Sequence, residues 1–137
     1  MVYNNKLDYN KYMNKLNKKI LIAEDDKDLA SLLKESFEGE GFDVVLAEDG
    51  EQGYDSAKKE KPDLLLLDIL MPKMDGIEMA KKLKGEGIKY PIIFLTNFGD
   101  TGHISSAIQI GESDYIVKSD MRIEDIILRV KTRLEIK

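Results

Sequence analysis

The sequence predicts an α/β fold: a single doubly wound (βα)5 domain built on a five-stranded parallel sheet. Five short apolar runs alternate along the chain with five stretches that have helical spacing of apolar residues. The runs show little polar–apolar alternation, which indicates strands that are buried on both faces, as in a parallel sheet with right-handed crossovers. The length of 137 residues fits one domain.

Each predicted strand is an apolar run bounded by acids, glycines or a proline. The third follows Pro62 and is too short for most helices. The predicted strands are KILIAEDD (19–26), FDVVLAED (42–49), DLLLLD (63–68), YPIIFLTN (90–97) and SDYIVKSD (113–120).

The predicted helices occupy the segments after each strand: 28–41, 50–61, 75–87, 99–112 and 122–137. The first has an apolar stripe and stops at glycines, which is typical of a helix end. Its stripe comprises Leu29, Leu32, Leu33 and Phe37. The last helix has the clearest stripe, at Ile123, Ile126, Ile127, Val130 and Leu134.

Composition excludes several classes of site. The chain has no cysteine, so disulfides, zinc–thiolate sites and cysteine nucleophiles are excluded. This suits a cytoplasmic protein, and no apolar run is long enough to cross a bilayer. The net charge is −5, although residues 1–18 contain four lysines and one acid. An acidic body predicts no direct nucleic-acid partner. We expect 1–18 to be an extension, disordered or a short helix, and 19–137 to be the domain.

Polar residues cluster where the predicted strands end. Carboxylates follow the first and third strands, Thr96 the fourth and Lys118 the fifth. In a parallel sheet these ends share one edge, which is where doubly wound folds place their sites. Crowded carboxylates repel unless a cation lies among them, and Mg²⁺ suits such oxygen ligands. We expect Glu24 and Asp25 to be ligands, and Asp26 to cap the first helix.

Four stretches, taken together, resemble one known family. They are ILIAEDD (20–26), LLLLDILMPKMDG (64–76), IIFLT (92–96) and DYIVK (114–118). From about Lys19 to Lys137 the chain resembles the receiver domain of two-component response regulators, the chemotaxis-regulator fold. That resemblance implies the flavodoxin-like strand order 2-1-3-4-5.

The resemblance also implies a function. Asp68 is then the phosphoacceptor, receiving a phosphoryl group from a sensor histidine kinase or a histidine phosphotransfer protein. Mg²⁺ is bound by Asp25, Asp68, the backbone carbonyl of Leu70 and, through water, Glu24. Lys118 pairs with the phosphoryl group. Such a domain is not an enzyme beyond catalysing its own phosphorylation and dephosphorylation.

The family's switch implies roles for two further residues. Thr96 moves to bind the phosphoryl group and draws Tyr115 from an outward to an inward position. The face formed by the fourth helix, fifth strand and fifth helix then binds a downstream protein or, on phosphorylation, a second copy of the chain. No membrane partner is expected.

Four positions depart from the family pattern. Asn97 replaces a small residue and narrows access for the phosphodonor. Ser119 replaces a proline that follows a cis bond, and because a cis bond before a non-proline costs roughly 2.5–4 kcal/mol, we expect Lys118–Ser119 to be trans. Leu70 and Phe98 flank the attacking water but cannot orient it, which predicts slow self-dephosphorylation.

Three alternatives remain open at this point. A magnesium-dependent phosphohydrolase is disfavoured because such enzymes have a second acid two residues after the nucleophile, where this chain has Leu70. A pseudo-receiver would keep the fold without being phosphorylated. The chain could also be a fragment of a larger regulator, although the absence of any DNA-binding pattern after the last predicted helix favours a stand-alone receiver.

Overall fold

The computed structural model describes residues 16–97 and 113–136. Its sheet has five parallel strands in the order β2-β1-β3-β4-β5. The strands are β1 (Lys19–Ala23), β2 (Asp43–Ala47), β3 (Leu64–Asp68), β4 (Ile92–Thr96) and β5 (Ser113–Val117). Both the predicted α/β class and the predicted strand order are confirmed.

Four α-helices lie within the described residues: α1 (Lys27–Gly39), α2 (Gly50–Glu60), α3 (Gly76–Gly85) and α4 (Ile123–Arg133). The helix predicted over 99–112 lies outside the described residues, as does most of the predicted extension. Leu16, the first described residue, donates its backbone N–H to the Gly41 carbonyl at 3.0 Å and packs against the core.

The core has two halves, one on each face of the sheet. Alternate residues of a strand point to opposite faces, so Leu65 and Leu67 join one half while Leu64 and Leu66 join the other. Helices α2 and α3 cover the first face, and α1 and α4 cover the second. All five residues of β3 and of β4 are buried, which confirms the prediction of strands without alternation. Because all the strands are parallel, their carboxyl ends lie along one edge of the sheet.

The predicted strand boundaries and one core position were wrong. All five predicted strands are longer than the observed ones, and the first ends at Ala23 instead of 26. The fifth strand ends at Val117 instead of 120, and a short 3-10 turn (Lys118–Asp120) follows it. Leu32 is 48% exposed, while Ala30 takes a buried position on α1. With 3.6 residues per turn, position 32 lies about 130° around the helix from the centre of the buried stripe formed by Ala30, Leu33 and Phe37.

No helix within 16–97 or 113–136 is both long enough and apolar enough to span a membrane.

Candidate functional site

Three charged side chains meet at the carboxyl edge of the sheet. Asp68, the last residue of β3, is 3% exposed, and Glu24, directly after β1, is 1% exposed. The Lys118 ammonium, which follows β5, lies 3.1 Å from Asp68 Oδ2 and 2.8 Å from Glu24 Oε1. Residues 94 positions apart in the chain are thus joined by a hydrogen bond. The convergence expected from the strand ends is present.

The electrostatics of this cluster are set by two buried acids that share one lysine. Burial, and after it the neighbouring Glu24 carboxylate, raise the pKa of Asp68 to about 8, although Lys118 opposes the shift. Burial alone would lower the pKa of Lys118, but its contacts with Glu24 and Asp68 outweigh burial and raise it. One ammonium therefore only partly compensates the two acids, and the site favours additional positive charge.

A third carboxylate gives the cluster a side that is open to solvent. Oxygen atoms of Glu24, Asp25 and Asp68 all lie within 4.8 Å of one another, and Asp25 is exposed. Hard oxygen donors, one of them accessible from solvent, fit a divalent cation such as Mg²⁺ that keeps several waters. Asp26 does not join them: its side chain accepts hydrogen bonds from the N–H groups of Asp28 and Leu29 at 3.1 and 3.2 Å. Its predicted role as a helix cap is confirmed.

The loop after Asp68 is folded tightly against the strand it leaves. Gly76 donates its N–H to the Ile69 carbonyl at 2.8 Å, and a Cβ on Gly76 would lie 2.3 Å from the Asp68 carbonyl oxygen. Only glycine fits here, which explains the glycine of the Met-Asp-Gly segment. Within this loop Leu70, two residues after Asp68, is 45% exposed.

Thr96 and Tyr115, the predicted switch pair, lie on adjacent strands. Thr96 is fully buried and donates a hydrogen bond to the Asn97 carbonyl at 3.2 Å, while Tyr115 is 38% exposed. Asn97 is exposed directly after β4. Phe98, predicted to modulate the dephosphorylation rate, lies outside the described residues.

The turn that begins at Lys118 has the trans peptide bond expected from Ser119. Every peptide bond among the described residues is trans, Lys118–Ser119 included, so that prediction is confirmed. The 3-10 turn over Lys118–Asp120 takes the place of the cis-proline turn, and Lys118 still reaches both acids from it.

Sequence reasoning missed one buried acid near this edge. Asp49, directly before α2, is 6% exposed, and its Oδ2 lies 3.6 Å from the Lys73 ammonium in the loop after β3. The signal was available, because Glu48 and Asp49 follow the second strand in the same way that Glu24 and Asp25 follow the first.

Comparison of the sequence with known protein families shows which family this chain belongs to. The model of the response regulator receiver domain family matches residues 20–131. The chain belongs to that family. The recognition made from the four sequence stretches is therefore confirmed.

Two curated relatives are named as regulatory proteins. The receiver domain is 39% identical over 103 residues to the alkaline phosphatase synthesis transcriptional regulatory protein PhoP of Bacillus subtilis, covering 75% of this chain and 43% of PhoP. It is 34% identical over 122 residues to the DNA-binding response regulator MtrA of Mycobacterium tuberculosis, covering 89% of this chain and 53% of MtrA. The chain thus spans about half the length of these relatives.

Solved receiver domains match over nearly their whole length. The receiver domain of the Francisella response regulator 1452 has a TM-score of 0.79 and 32% identity, covering 87% of this chain and 98% of that one. The BeF3-activated amino-terminal receiver domain of Klebsiella pneumoniae RstA has a TM-score of 0.76 and 34% identity, covering 85% of this chain and 97% of that one. These likenesses support the fold and the family together.

Proposed function

We propose that this receiver domain accepts a phosphoryl group on Asp68 and that the modification switches a partner-binding surface. The observation that carries the proposal is the geometry around Asp68. Its carboxylate ends a buried strand, lies 3.1 Å from the Lys118 ammonium and shares a small volume with two other carboxylates. A phosphohydrolase reading has no comparable support, because the exposed residue two positions after Asp68 is Leu70, which cannot act as a general acid.

The reaction is transfer of a phosphoryl group to a carboxylate oxygen. An Asp68 oxygen attacks the phosphorus of a phosphohistidine, forming an O–P bond as the P–N bond breaks, and the leaving imidazole takes up a proton. With an acyl phosphate donor, the P–O bond breaks and a carboxylate leaves. Asp68 must be ionised to attack, and its pKa is raised. A cation bound beside it would lower that pKa and so favour the ionised carboxylate that acts as the nucleophile.

Lys118 and the acids divide the electrostatic work. Lys118 already contacts Asp68, so it is placed to neutralise charge on the transferred oxygens. Glu24 holds the same ammonium through two hydrogen bonds, at 2.8 and 3.1 Å, and thereby keeps the lysine at the edge of the sheet. Thr96, fully buried at the end of β4, supplies a hydroxyl for the modified aspartate.

Mg²⁺ would be held by four groups: the carboxylates of Glu24, Asp25 and Asp68 and the backbone carbonyl of Leu70. When bound, the ion would stabilise negative charge on the transferred phosphoryl oxygens. The excess of acid over base in the cluster is what favours its binding.

Signalling would follow from Thr96 and Tyr115. Movement of the Thr96 hydroxyl toward the phosphoryl group would vacate space at the end of β4, and Tyr115, now 38% exposed, would turn inward to fill it. The partner upstream would be a sensor histidine kinase or histidine phosphotransfer protein. Downstream, the face around β5 and α4 would bind a protein or a second copy of the chain.

The output of the whole protein is a separate part of the proposal. The name of MtrA describes it as DNA-binding, and that relative is longer than this chain. We propose that the described domain binds proteins and does not itself bind nucleic acid, because its body is acidic. A stand-alone receiver and a receiver within a longer regulator both agree with this surface.

Incubation with acetyl phosphate and Mg²⁺, followed by intact-mass measurement, tests the phosphoacceptor. The protein should gain one phosphoryl mass, Asp68→Asn should gain none, and Asp55→Asn, at an exposed acid on α2, should behave as the wild type. If the wild type gains no phosphoryl mass, the domain is a pseudo-receiver. If Asp68→Asn still gains that mass, a residue other than Asp68 is phosphorylated.

A second measurement tests the switch. Beryllofluoride added with Mg²⁺ should shift the Tyr115 ring resonances in NMR spectra of the wild type. Thr96→Val should abolish that shift, because it removes the hydroxyl while keeping the side chain's size. Identical Tyr115 spectra with and without beryllofluoride would contradict the proposed movement.

A further inference from the structure

The turn between β2 and α2, at Asp49 and Gly50, contacts the loop that follows Asp68 backbone to backbone. A Cβ on Gly50 would lie 1.7 Å from the Met74 carbonyl oxygen and 2.5 Å from its carbonyl carbon. Both distances are far below any van der Waals contact, and the obstructing atoms belong to backbone, which cannot rotate away as a side chain can. The backbone of Gly50 does not have positive φ, so its own conformation does not require glycine. A side chain is excluded at position 50 because the Met74 backbone occupies that space.

The turn that presents Gly50 is itself braced. Asp49 Oδ1 accepts the N–H of Gln52 at 2.8 Å, and Gln52 Oε1 accepts the N–H of Glu48 at 3.1 Å. The second oxygen of Asp49 lies 3.6 Å from the ammonium of Lys73, the residue before Met74. The turn thus meets the loop twice, once through backbone and once through an ion pair.

The contacted part of the loop is tightly bent. Lys73 has φ of 68°, and Met74 donates its N–H to the Pro72 carbonyl at 2.8 Å, which closes a three-residue turn. A non-glycine residue in this region is held there by its surroundings at some conformational cost. Because the loop starts directly after Asp68 and includes Leu70, displacement of Met74 is transmitted to the backbone beside the acids.

We propose that Asp49 and Gly50 are positioning residues for the phosphoacceptor loop. They hold the Met74 carbonyl and Lys73 in place, and so fix the backbone around Leu70 for binding the cation. This inference rests on the proposed function, because it uses the Leu70 carbonyl as a metal ligand. Any side chain at position 50 pushes the loop outward, which weakens Mg²⁺ binding in addition to any loss of stability.

The test compares two glycine-to-alanine variants of the intact chain. Gly50→Ala adds the obstructed Cβ, whereas Gly85→Ala adds one at the end of α3 with nothing within 4 Å. Isothermal titration calorimetry with Mg²⁺, well below each unfolding midpoint, gives the dissociation constants. We expect Gly50→Ala to raise the constant at least ten-fold and Gly85→Ala to leave it within two-fold of wild type. A purely structural role would lower the unfolding midpoint and leave the constant unchanged.

A folded Gly50→Ala variant with wild-type Mg²⁺ affinity overturns the proposal. If circular dichroism shows that this variant is unfolded, Lys73→Met decides instead. Loss of a positive charge by itself tightens cation binding, but the proposal predicts that loss of the contact with Asp49 outweighs it. Lys73→Met should therefore bind Mg²⁺ about two-fold more weakly than the wild type. Equal or tighter binding by Lys73→Met overturns the proposal.

The same samples separate this inference from the proposed function. A wild type that gains no mass from acetyl phosphate, with weakened Mg²⁺ binding in Gly50→Ala, refutes phosphorylation and retains the positioning role. A phosphorylated wild type with unchanged binding in Gly50→Ala refutes the positioning role alone.

Discussion

Two clusters of lysine and carboxylate in this domain have nearly the same contact distances in different surroundings. In the strand-edge cluster (Glu24, Asp68 and Lys118), the ammonium lies 2.8 Å from Glu24 Oε1. In the helix-surface cluster (Tyr54, Lys58, Lys82 and Glu86), the Lys58 ammonium lies 2.9 Å from Glu86 Oε1. The second cluster ties α2 to the end of α3, and the Lys82 ammonium lies 4.2 Å from the centre of the Tyr54 ring.

The acids of the two clusters shift in opposite directions. Burial and a second acid raise the pKa of Asp68 to about 8. At the surface, hydrogen bonds from Tyr54 and then Lys58 lower the pKa of Glu86, although burial opposes them. The ratio of acid to base matters as much as burial: two acids share one lysine at the strand edge, and one acid faces two lysines on the helices. Equal distances therefore do not imply equal energetics.

The comparison shows which cluster can be reactive. A buried carboxyl with a raised pKa loses its proton more readily when a cation binds beside it, so its charge state depends on ligands. A solvated ion pair is already satisfied by its partners and by water, and salt screens it. The strand-edge cluster is suited to chemistry, and the helix-surface cluster to holding two helices together.

Removal of the shared lysine should have the largest combined effect, because it lowers both stability and the rate of phosphorylation. At pH 8 in metal-free buffer, Lys118→Met leaves two buried acids without their cation and should lower the free energy of unfolding by about 3–5 kcal/mol. Phosphorylation by acetyl phosphate should slow at least a hundred-fold. Urea unfolding and intact-mass time courses measure both. In the matched variant Lys58→Met both quantities should stay at wild-type values; similar losses in the two variants would erase the contrast between the clusters.

The next effect is a pH dependence of stability in the metal-free protein. The unfolded state releases the Asp68 proton near pH 4, and the folded state keeps it until about pH 8. The unfolded state thus binds fewer protons in this window, so stability falls as pH rises from about 4 to 8, at up to about 1.4 kcal/mol per pH unit. Above pH 8 the contribution is constant.

Urea unfolding from pH 5 to 9, with EDTA present, checks this dependence against Asp68→Asn. The variant keeps the shape of the side chain without its charge and should become progressively more stable than the wild type as pH rises. Added Mg²⁺ should recover wild-type stability at high pH. Parallel curves for the two proteins would show that burial of Asp68 has little energetic consequence.

A smaller effect is expected where the strand-edge cluster meets solvent. Leu70, 45% exposed, cannot orient a water for attack on the acyl phosphate, so Leu70→Asn should shorten the phosphoryl lifetime about ten-fold. The unfolding free energy should change by less than about 0.5 kcal/mol, as for most exposed positions. Leu128→Asn, at a leucine that is 63% exposed on α4, is the control. A wild-type lifetime no longer than that of Leu70→Asn would refute slow self-dephosphorylation.

The smallest effect belongs to the helix surface. Tyr54→Phe removes the hydroxyl that donates to Glu86, so the pKa of Glu86 should rise toward its ordinary value. NMR titration of the Glu86 carboxyl carbon measures this change. Phosphorylation and Mg²⁺ binding should be unaffected, since the cluster lies on the helices. A changed phosphoryl lifetime in Tyr54→Phe would reveal coupling between the two clusters.

Much of the strand-edge cluster could be predicted from residue order. The apolar runs identified the buried strands, and the predicted parallel arrangement placed Glu24, Asp68 and Lys118 at a common edge. Boundaries were less certain: β5 ends at Val117 because the chain turns there to bring Lys118 to the acids. Leu32 was misplaced because spacing alone does not say which side of α1 faces the sheet.

By itself, the sequence determined the fold class, the strand order through its family pattern, and the residues at the carboxyl edge of the sheet. Those properties follow from periodicity and from short motifs, which are local in the chain. Only the tertiary structure decided how the charges balance and that Gly50 must lack a side chain. Desolvation of Asp68 and the approach of Gly50 to Met74 depend on atoms that are distant in sequence, and no local pattern encodes their separation.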